Sequence, residues 1–383
     1  MDAKRLFLAV VLIAVVALVG CVPPPEGAAD ATGEDAAAEV DPTEMTPAQR
    51  AYINASEFYQ VRELGKAIEN YERALELDPT YVDPLYGLGR IYLVDTQEFD
   101  KALEVYERAR TLAPTDAFSH SSLAYAYFVM GRYQDCVDAY VEAVQLNPED
   151  ADAFLNLGYA YEKMEMDLAA IEAYRRAQEL MPDDTRASQS LAHIYYRGGL
   201  YDQAIASYEK VRTRGQASNY TLSTLGFLYM KVGNAAKAEA LFLAVLQRSP
   251  EDVASRANLA TVYRESGDFA KAIEQYEYLH TAQPNDVAYM LALADAYNEA
   301  GRYDSAISMA RKVLSVQPGA GSAYIAWAKA LEKQGQYEAA IAKLEQAKGD
   351  PEWRALAIRE IERQNQLIEI RDQQRARDRW DQG

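Results

Sequence analysis

Tyrosine recurs at intervals of 34 residues through the middle of this 383-residue chain. The positions are Tyr127, Tyr161, Tyr195, Tyr229, Tyr263 and Tyr297. A leucine lies four residues before each tyrosine, and prolines repeat at the same interval with one position skipped. A fixed period of this length indicates one structural unit copied along the chain. It favours a repeat fold over the fold of an enzyme.

Each copy is predicted to form two helices joined by a tight turn. In the fifth copy, Leu191 and Tyr195 share one helix face because they are four residues apart, and Gly199 suits the left-handed backbone at a helix C-terminus. An apolar series at intervals of four and three residues indicates a second amphipathic helix. That series is Ala204, Tyr208 and Val211. One pair of helices cannot bury its apolar face alone, so neighbouring copies are expected to stack into a solenoid.

The fourth copy carries the full set of recurring residues. They are Phe154, Leu157, Gly158, Tyr161, Ala170, Tyr174, Ala177 and Pro182. This order resembles the tetratricopeptide repeat (TPR), and the resemblance covers about residues 48–352. It implies an all-α fold, a right-handed α-solenoid of about nine helix-turn-helix repeats over residues 47–351. A C-terminal capping helix is expected over residues 352–383.

Two repeats depart from this pattern in ways that affect the backbone. The second repeat carries one extra residue in its inner turn, around residues 95–98. The fifth ends in Arg214-Gly215-Gln216, where the pattern has proline. Two interpretations of Gly215 remain open, a tolerated variant turn and a flexible joint.

The first 21 residues have the features of a secretory signal peptide. Lys4 and Arg5 precede an apolar run over residues 6–19, which is shorter than the roughly 20 residues that span a bilayer as a helix. The run ends in Leu18-Val19-Gly20-Cys21. This motif resembles the lipobox of bacterial lipoproteins, and the resemblance implies lipidation of Cys21. An uncleaved anchor or an ordinary signal peptide is the alternative.

Residues 22–46 are predicted to be a disordered tether. They include three consecutive prolines and seven acidic residues but no lysine or arginine, a composition that cannot build a core. Val22 follows Cys21, where lipoproteins kept in the inner membrane of enteric bacteria carry aspartate. The resemblance therefore implies a lipid anchor in the outer membrane of a bacterial cell envelope, with the repeats in the periplasm.

The net charge limits the class of partner. The chain has 39 Lys and Arg against 58 Asp and Glu, a formal charge of −19. A nucleic-acid-binding surface would need a basic stripe, which this sequence lacks. Two interpretations of the excess acid remain, solubility of a long exposed fold and steering of a basic partner.

The sequence contains no recognisable catalytic or metal-binding constellation. Its three histidines, His120, His193 and His280, lie in different repeats and lack the clustering that a zinc site requires. Cys136 occupies the position of a small packing residue, which is Ala170 or Ala204 in other repeats. We therefore expect no enzymatic activity, no cofactor and no metal.

The binding residues are expected on the first helix of each repeat, on the face opposite the Leu/Tyr core. Positions nine, six and two before the periodic tyrosine and one after it share that face because they step by three and four residues. Aromatic and basic residues there in repeats two to six predict an exposed patch for an extended or helical peptide. Burial of some rings between adjacent first helices is the alternative. The predicted groove residues are Tyr86, Arg90, Tyr125, Phe128, Tyr159, Arg186, His193, Tyr196, Arg197, Phe227 and Lys231.

Together these features predict a membrane-anchored, protein-binding scaffold that captures a partner segment in its groove. It resembles TPR lipoproteins that act as pilotins or envelope adaptors, which implies a role in periplasmic assembly of a pilus, a secretion system or the cell-wall machinery. Two alternatives remain. One is a structural protein that self-associates, and the other is a lipoprotein of polysaccharide export whose aromatic residues stack on sugars.

Overall fold

The structure is a computed structural model that describes residues 45–381, apart from the side chains at positions 379 and 381. These residues form 19 α-helices and no β-strand, which confirms the predicted all-α fold of helix-turn-helix repeats with a C-terminal capping helix. The predicted signal peptide, Cys21 and residues 22–44 of the predicted tether lie outside the described residues.

The chain divides after Gln216 into two compact units, called here the N-terminal and C-terminal units. The division follows the fifth repeat, the one that ends in Gly215 instead of proline. Five repeats make up the N-terminal unit, each from one odd-numbered and one even-numbered helix. Their bounds are α1 Pro47–Gln60, α2 Leu64–Leu77, α3 Asp83–Arg90, α4 Phe99–Leu112, α5 Ala117–Val129, α6 Tyr133–Leu146, α7 Ala151–Lys163, α8 Asp167–Leu180, α9 Arg186–Arg197 and α10 Tyr201–Thr213.

The C-terminal unit contains repeats six to nine and the capping helix. Its helices are α11 Asn219–Lys231, α12 Ala235–Arg248, α13 Val253–Glu265, α14 Phe269–Ala282, α15 Val287–Glu299, α16 Tyr303–Val316, α17 Gly321–Lys333, α18 Tyr337–Ala347 and α19 Arg354–Asp381. Ile361 of α19 packs against a cluster of buried residues in repeat nine. That cluster is Ala328, Leu331, Ala340 and Leu344. The capping helix thereby covers apolar surface that no further repeat buries.

The extra residue of repeat two is accommodated without breaking the hairpin. Residues Ile91–Asp95 form a π-helical turn directly after α3. A π-helical turn holds one more residue than an α-helical turn. Gln97 then takes a left-handed conformation with φ 58°, and α4 starts at Phe99.

Local sequence explains where the helices begin and how the chain turns between them. Asp150 and Asp252 cap first helices by accepting backbone N–H bonds from Ala153 at 2.9 Å and Ser255 at 2.6 Å. At the inner turn of repeat five, Gly199 adopts φ 72°, a conformation that glycine takes without steric cost.

Close packing between the two helices of a repeat depends on small residues. A Cβ atom on Gly158 would lie 2.5 Å from the ring of the fully buried Tyr174, so the glycine permits this approach. Cys136 and Ala170 are also fully buried, which agrees with the expected packing role of Cys136. Burial raises the pKa of the Cys136 thiol, so the residue is not poised for thiolate chemistry.

Candidate partner-binding surface

The predicted groove residues lie on the first helices of repeats two to six. Nine of the eleven belong to the N-terminal unit, whereas Phe227 and Lys231 belong to α11 of the C-terminal unit. We call the face that carries them the groove face. In each repeat it comprises the residues that lie nine, six and two positions before the periodic tyrosine and the residue directly after it. Arg197 and Lys231, two positions after their tyrosines, are included.

Four of the predicted aromatic residues are packed inside the N-terminal unit. Tyr86, Tyr125, Phe128 and Tyr159 are only 3–9% exposed. The prediction of an exposed aromatic patch is therefore wrong for repeats two to four, and the alternative of burial by packing is correct there. The physical reason is that side chains of neighbouring helices cover these rings.

Tyr86 of repeat two is held by the first helix of repeat three. Its hydroxyl donates to Asp116 Oδ2 at 2.5 Å and lies 2.6 Å from Ser119 Oγ. Its ring packs edge-on against Phe118, with ring centroids 4.6 Å apart. Burial raises the pKa of Tyr86, and the hydrogen bond to Asp116 raises it further. This tyrosine therefore joins two adjacent repeats.

Phe128 and Tyr159 contact the second helix of their own repeats. The ring of Phe128 meets that of Tyr133 in α6 at 5.6 Å, edge to face. Tyr159 meets Tyr174 in α8 at 5.4 Å in a similar arrangement. Such pairs add stability beyond the area that they bury. Both residues thus contribute to the fold.

Arg90 is also engaged within the N-terminal unit. Its guanidinium lies 5.1 Å from the centre of the Tyr59 ring, a cation–π contact. Burial lowers the pKa of Arg90, and the nearby Asp95 carboxylate opposes that shift. Burial and Asp95 also raise the pKa of Tyr59 to about 12. Arg90 is half-buried in this group.

A partly exposed ionic cluster lies on the groove face of repeats four and five, centred on Glu162. The Tyr174 hydroxyl donates to Glu162 Oε2 at 3.0 Å. Glu162 Oε1 lies 3.3 Å from His193 Nδ1 and 3.8 Å from Arg197 Nη1. Arg197 also pairs with Asp167. This cluster connects the first helix of repeat five to both helices of repeat four.

The charge state of Glu162 follows from these contacts. Burial alone would raise its pKa, but the hydrogen bonds from His193 and Tyr174 and the charge of Arg197 outweigh burial, so the pKa is lowered. The carboxylate is therefore ionised at neutral pH. His193 and Arg197 were predicted from the sequence and Glu162 was not, although it directly follows the periodic Tyr161.

Arg186 forms a second ionic group on the groove face. Its Nη2 atom lies 2.7 Å from Asp152 Oδ1 and 2.5 Å from Asp184 Oδ2. Burial would lower the pKa of Arg186, but the hydrogen bonds and charges of the two carboxylates outweigh burial and raise it. Asp152 and Arg186 occupy the same position in repeats four and five, so this pair also joins neighbouring repeats.

The remaining predicted aromatic residues are half-buried. Tyr196 lies at the end of α9 in the N-terminal unit. In the C-terminal unit, Phe227 stacks under Lys231, whose Nζ lies 5.1 Å from the ring centre. These residues retain partial access to solvent, in contrast to the four buried rings.

Residues 45–381 contain neither a cluster of metal-binding side chains nor a helix that could span a membrane. No group of His, Cys, Asp and Glu side chains there is arranged to hold a metal ion. None of the helices in that range combines the length and apolarity needed to cross a membrane.

Family models for the tetratricopeptide repeat match most of the described chain. Models of this description match residues 55–94, 82–116, 124–165, 151–184 and 168–219. Further models match residues 217–278, 263–324 and 297–357. No curated protein sequence matches the chain significantly.

Several solved structures are similar to parts of this chain. MamA is 30% identical over 42% of this chain and 94% of its own length, with a TM-score of 0.40. YrrB is described as a TPR protein with an unusual peptide-binding site. It is 19% identical over 49% of this chain and 96% of its own length, with a TM-score of 0.44. PilF of Pseudomonas aeruginosa is 19% identical over 55% of this chain and 95% of its own length, with a TM-score of 0.47.

The helical hairpins and the family matches agree in position and in period. Each hairpin of the structure between residues 55 and 357 coincides with or overlaps a matched segment. The chain is therefore a tetratricopeptide repeat protein.

Proposed function

We propose that this protein is a membrane-anchored scaffold that captures a segment of a partner protein on the groove face of repeats four and five. The observation that carries this proposal is the partly exposed cluster of Glu162, His193 and Arg197. It offers an ionised carboxylate and basic side chains side by side, on repeats of a protein-binding family.

The contacts available on this surface favour a polar partner segment. The tyrosines that could have stacked on a ligand in repeats two to four are buried. Hydrogen bonds and charge therefore provide the specificity, with half-buried Tyr196 as the apolar contact. A basic side chain of the partner approaches Glu162, and the charge of −19 attracts such a segment.

The anchor is proposed from the sequence Leu18-Val19-Gly20-Cys21. Acyl chains on Cys21 hold the protein in the membrane, because each buried CH₂ contributes about 0.8 kcal/mol. Residues 22–46 then link the anchor to the repeats, in the periplasm, next to the envelope complex that the scaffold helps to assemble. Replacing Cys21 by serine is expected to move the protein from the membrane fraction to the soluble fraction.

A crosslinked pull-down from the protein's own membranes tests the binding part. The variant combines Glu162→Gln, His193→Ala and Arg197→Ala, and the control is Arg212→Ala on the exposed surface of α10. We expect the wild type and the control to recover the same partner, and the triple variant to recover at least tenfold less with an unchanged circular dichroism spectrum. Equal recovery by the triple variant would overturn the proposal, and recovery of self-crosslinks alone would favour the self-associating alternative.

A further inference from the structure

The turns between the two helices of repeats four and five carry exposed apolar side chains. Met166 and Leu200, the residues before α8 and α10, are each 46% exposed, and Leu168 in the first turn of α8 is 85% exposed. Arg197, three residues before Leu200, pairs with Asp167, which lies between Met166 and Leu168. The three apolar residues therefore lie on one edge of the N-terminal unit.

The other repeats differ at the position directly before the second helix, although their turns also include exposed valines, Val61 in repeat one and Val232 in repeat six. The residue before the second helix is polar or charged in all seven of them: Glu63, Glu98, Arg132, Asn234, Asp268, Arg302 and Gln336. Asn234 and Asp268 cap their helices, each accepting a backbone N–H at 3.2 Å. Met166 and Leu200 make no such bond, and a side-chain cap normally stabilises a helix. Five of the seven polar residues also make no side-chain cap bond, so repeats four and five are distinguished by the apolar side chain at this position and not by a missing cap.

The residue before Met166 takes a left-handed backbone conformation, as the equivalent Arg62 and Gln97 do in repeats one and two. Glu165 adopts a left-handed conformation with φ 58°, which is unfavourable for a residue with a Cβ atom. The equivalent residue of repeat five is Gly199, with φ 72°. Leu168 corresponds to Asp202 of repeat five. The turns of repeats four and five are therefore distinguished by Met166 and Leu200, at a position that is polar in the other seven repeats, and by the exposed Leu168. Exposed apolar side chains that lie together are available for contact with another molecule.

The surroundings of the apolar residues are acidic. Glu165, Glu172 and Asp202 are exposed, and they form no ion pair with the residues described in the structure. Lys163 is an exposed cation on the same edge, whereas the charge of Asp167 is balanced by Arg197. An apolar centre with an acidic rim is complementary to apolar side chains flanked by basic ones.

We propose that the surface formed by Met166, Leu168 and Leu200, called here the turn patch, docks a partner protein that presents apolar side chains flanked by lysine or arginine. A second copy of this chain fits less well, because it would bring a net charge of −19 against an acidic rim. Met166, Leu168 and Leu200 are not groove-face residues, so this proposal does not depend on capture by the groove. The two surfaces adjoin at Arg197, which pairs with Asp167.

A photoreactive benzoylphenylalanine at position 168 of the full chain, expressed in its own cells, tests this proposal. The same group at position 100, the equivalent position in repeat two, is the control. A double variant, Met166→Asp with Leu200→Asn, introduces the residues that repeats seven and six carry there. We expect at least tenfold less crosslinking from position 168 in this variant, with an equal or higher Tm because both introduced residues can cap a helix.

The crosslinked segment identifies the partner class. A segment with apolar residues next to lysine or arginine supports the turn patch if its crosslinking is unaffected by Glu162→Gln with His193→Ala, a groove-face variant that leaves Arg197 in place. An acidic segment, a second copy of this chain, a lipid, or no crosslinking above the level at position 100 would overturn it. So would a lower Tm of the double variant, because the apolar residues would then serve the fold.

Discussion

The groove faces of repeats four and five differ in burial at one equivalent position. Two residues before the periodic tyrosine, repeat four has Tyr159, which is buried, and repeat five has His193, whose side chain is 47% exposed. The ring of Tyr159 is covered by Tyr174, whereas His193 reaches Glu162 at the surface. The repeat position thus sets the helix face, but the side chain decides whether that face packs or remains available for binding.

The largest expected difference between these two positions is in stability. Tyr159→Ala removes a buried aromatic ring and is expected to lower the free energy of unfolding by about 3–5 kcal/mol. His193→Ala at the equivalent position is expected to change it by less than about 0.5 kcal/mol, as is usual for a surface residue. Urea unfolding followed by circular dichroism measures both. Similar losses in the two variants would contradict the comparison.

A smaller effect is expected when a buried tyrosine loses only its hydroxyl. Tyr86→Phe leaves Asp116 and Ser119 without this hydrogen-bonding partner, which is expected to cost about 1–3 kcal/mol. Tyr220→Phe, at an exposed tyrosine, is the control and should have little effect. If both variants unfold at the wild-type urea concentration, the hydroxyl of Tyr86 does not hold repeats two and three together.

The contribution of Tyr86 should also depend on pH. Burial and Asp116 raise its pKa above the value of about 10 expected in the unfolded chain. Its stabilising contribution is therefore complete below pH 10 and is lost as the pH rises above that value. The difference in unfolding free energy between the wild type and Tyr86→Phe should narrow between pH 8 and pH 11. A constant difference over this range would show that the phenol does not titrate differently in the two states.

The smallest effect is expected in the exposed ionic cluster. Glu162→Gln should lower the free energy of unfolding by about 1 kcal/mol or less, because partly exposed ion pairs contribute little. The folded pKa of Glu162 is lowered from an unfolded value near 4.3, so its contribution is present above about pH 4.3 and is lost as the pH falls through the folded pKa. The variant and the wild type should become equally stable in acid. A difference in unfolding free energy that persists at pH 2 would show that the effect does not come from the ionised Glu162 carboxylate.

The sequence predicted the repeats more completely than the surface. The 34-residue period placed the hairpins, and the extra residue near Asp95 corresponds to the π-helical turn. The burial of Tyr86 was not predictable from local spacing, because its partners Asp116 and Ser119 lie 30 and 33 residues later in the chain. The approach of His193 to Glu162 likewise joins residues 31 positions apart. Such contacts depend on the distance between neighbouring first helices, which a helical period does not specify.

The alternatives differ in what they require of the same surface. A protein that binds sugars by stacking needs accessible rings, and four of the predicted ones are buried. A self-associating protein would show a molecular mass that rises with concentration, which sedimentation measures. The scaffold proposal requires instead that the accessible groove-face residues touch a partner.

Photocrosslinking from Gln189 tests that requirement most directly. Gln189 is exposed on the groove face of repeat five, six residues before Tyr195, and Ala206 is an exposed control position on α10. With benzoylphenylalanine at position 189, in the protein's own membranes, we expect crosslinks to one segment of a single partner protein and none from position 206. Equal crosslinking from both positions, or none from position 189, would contradict capture on the groove face.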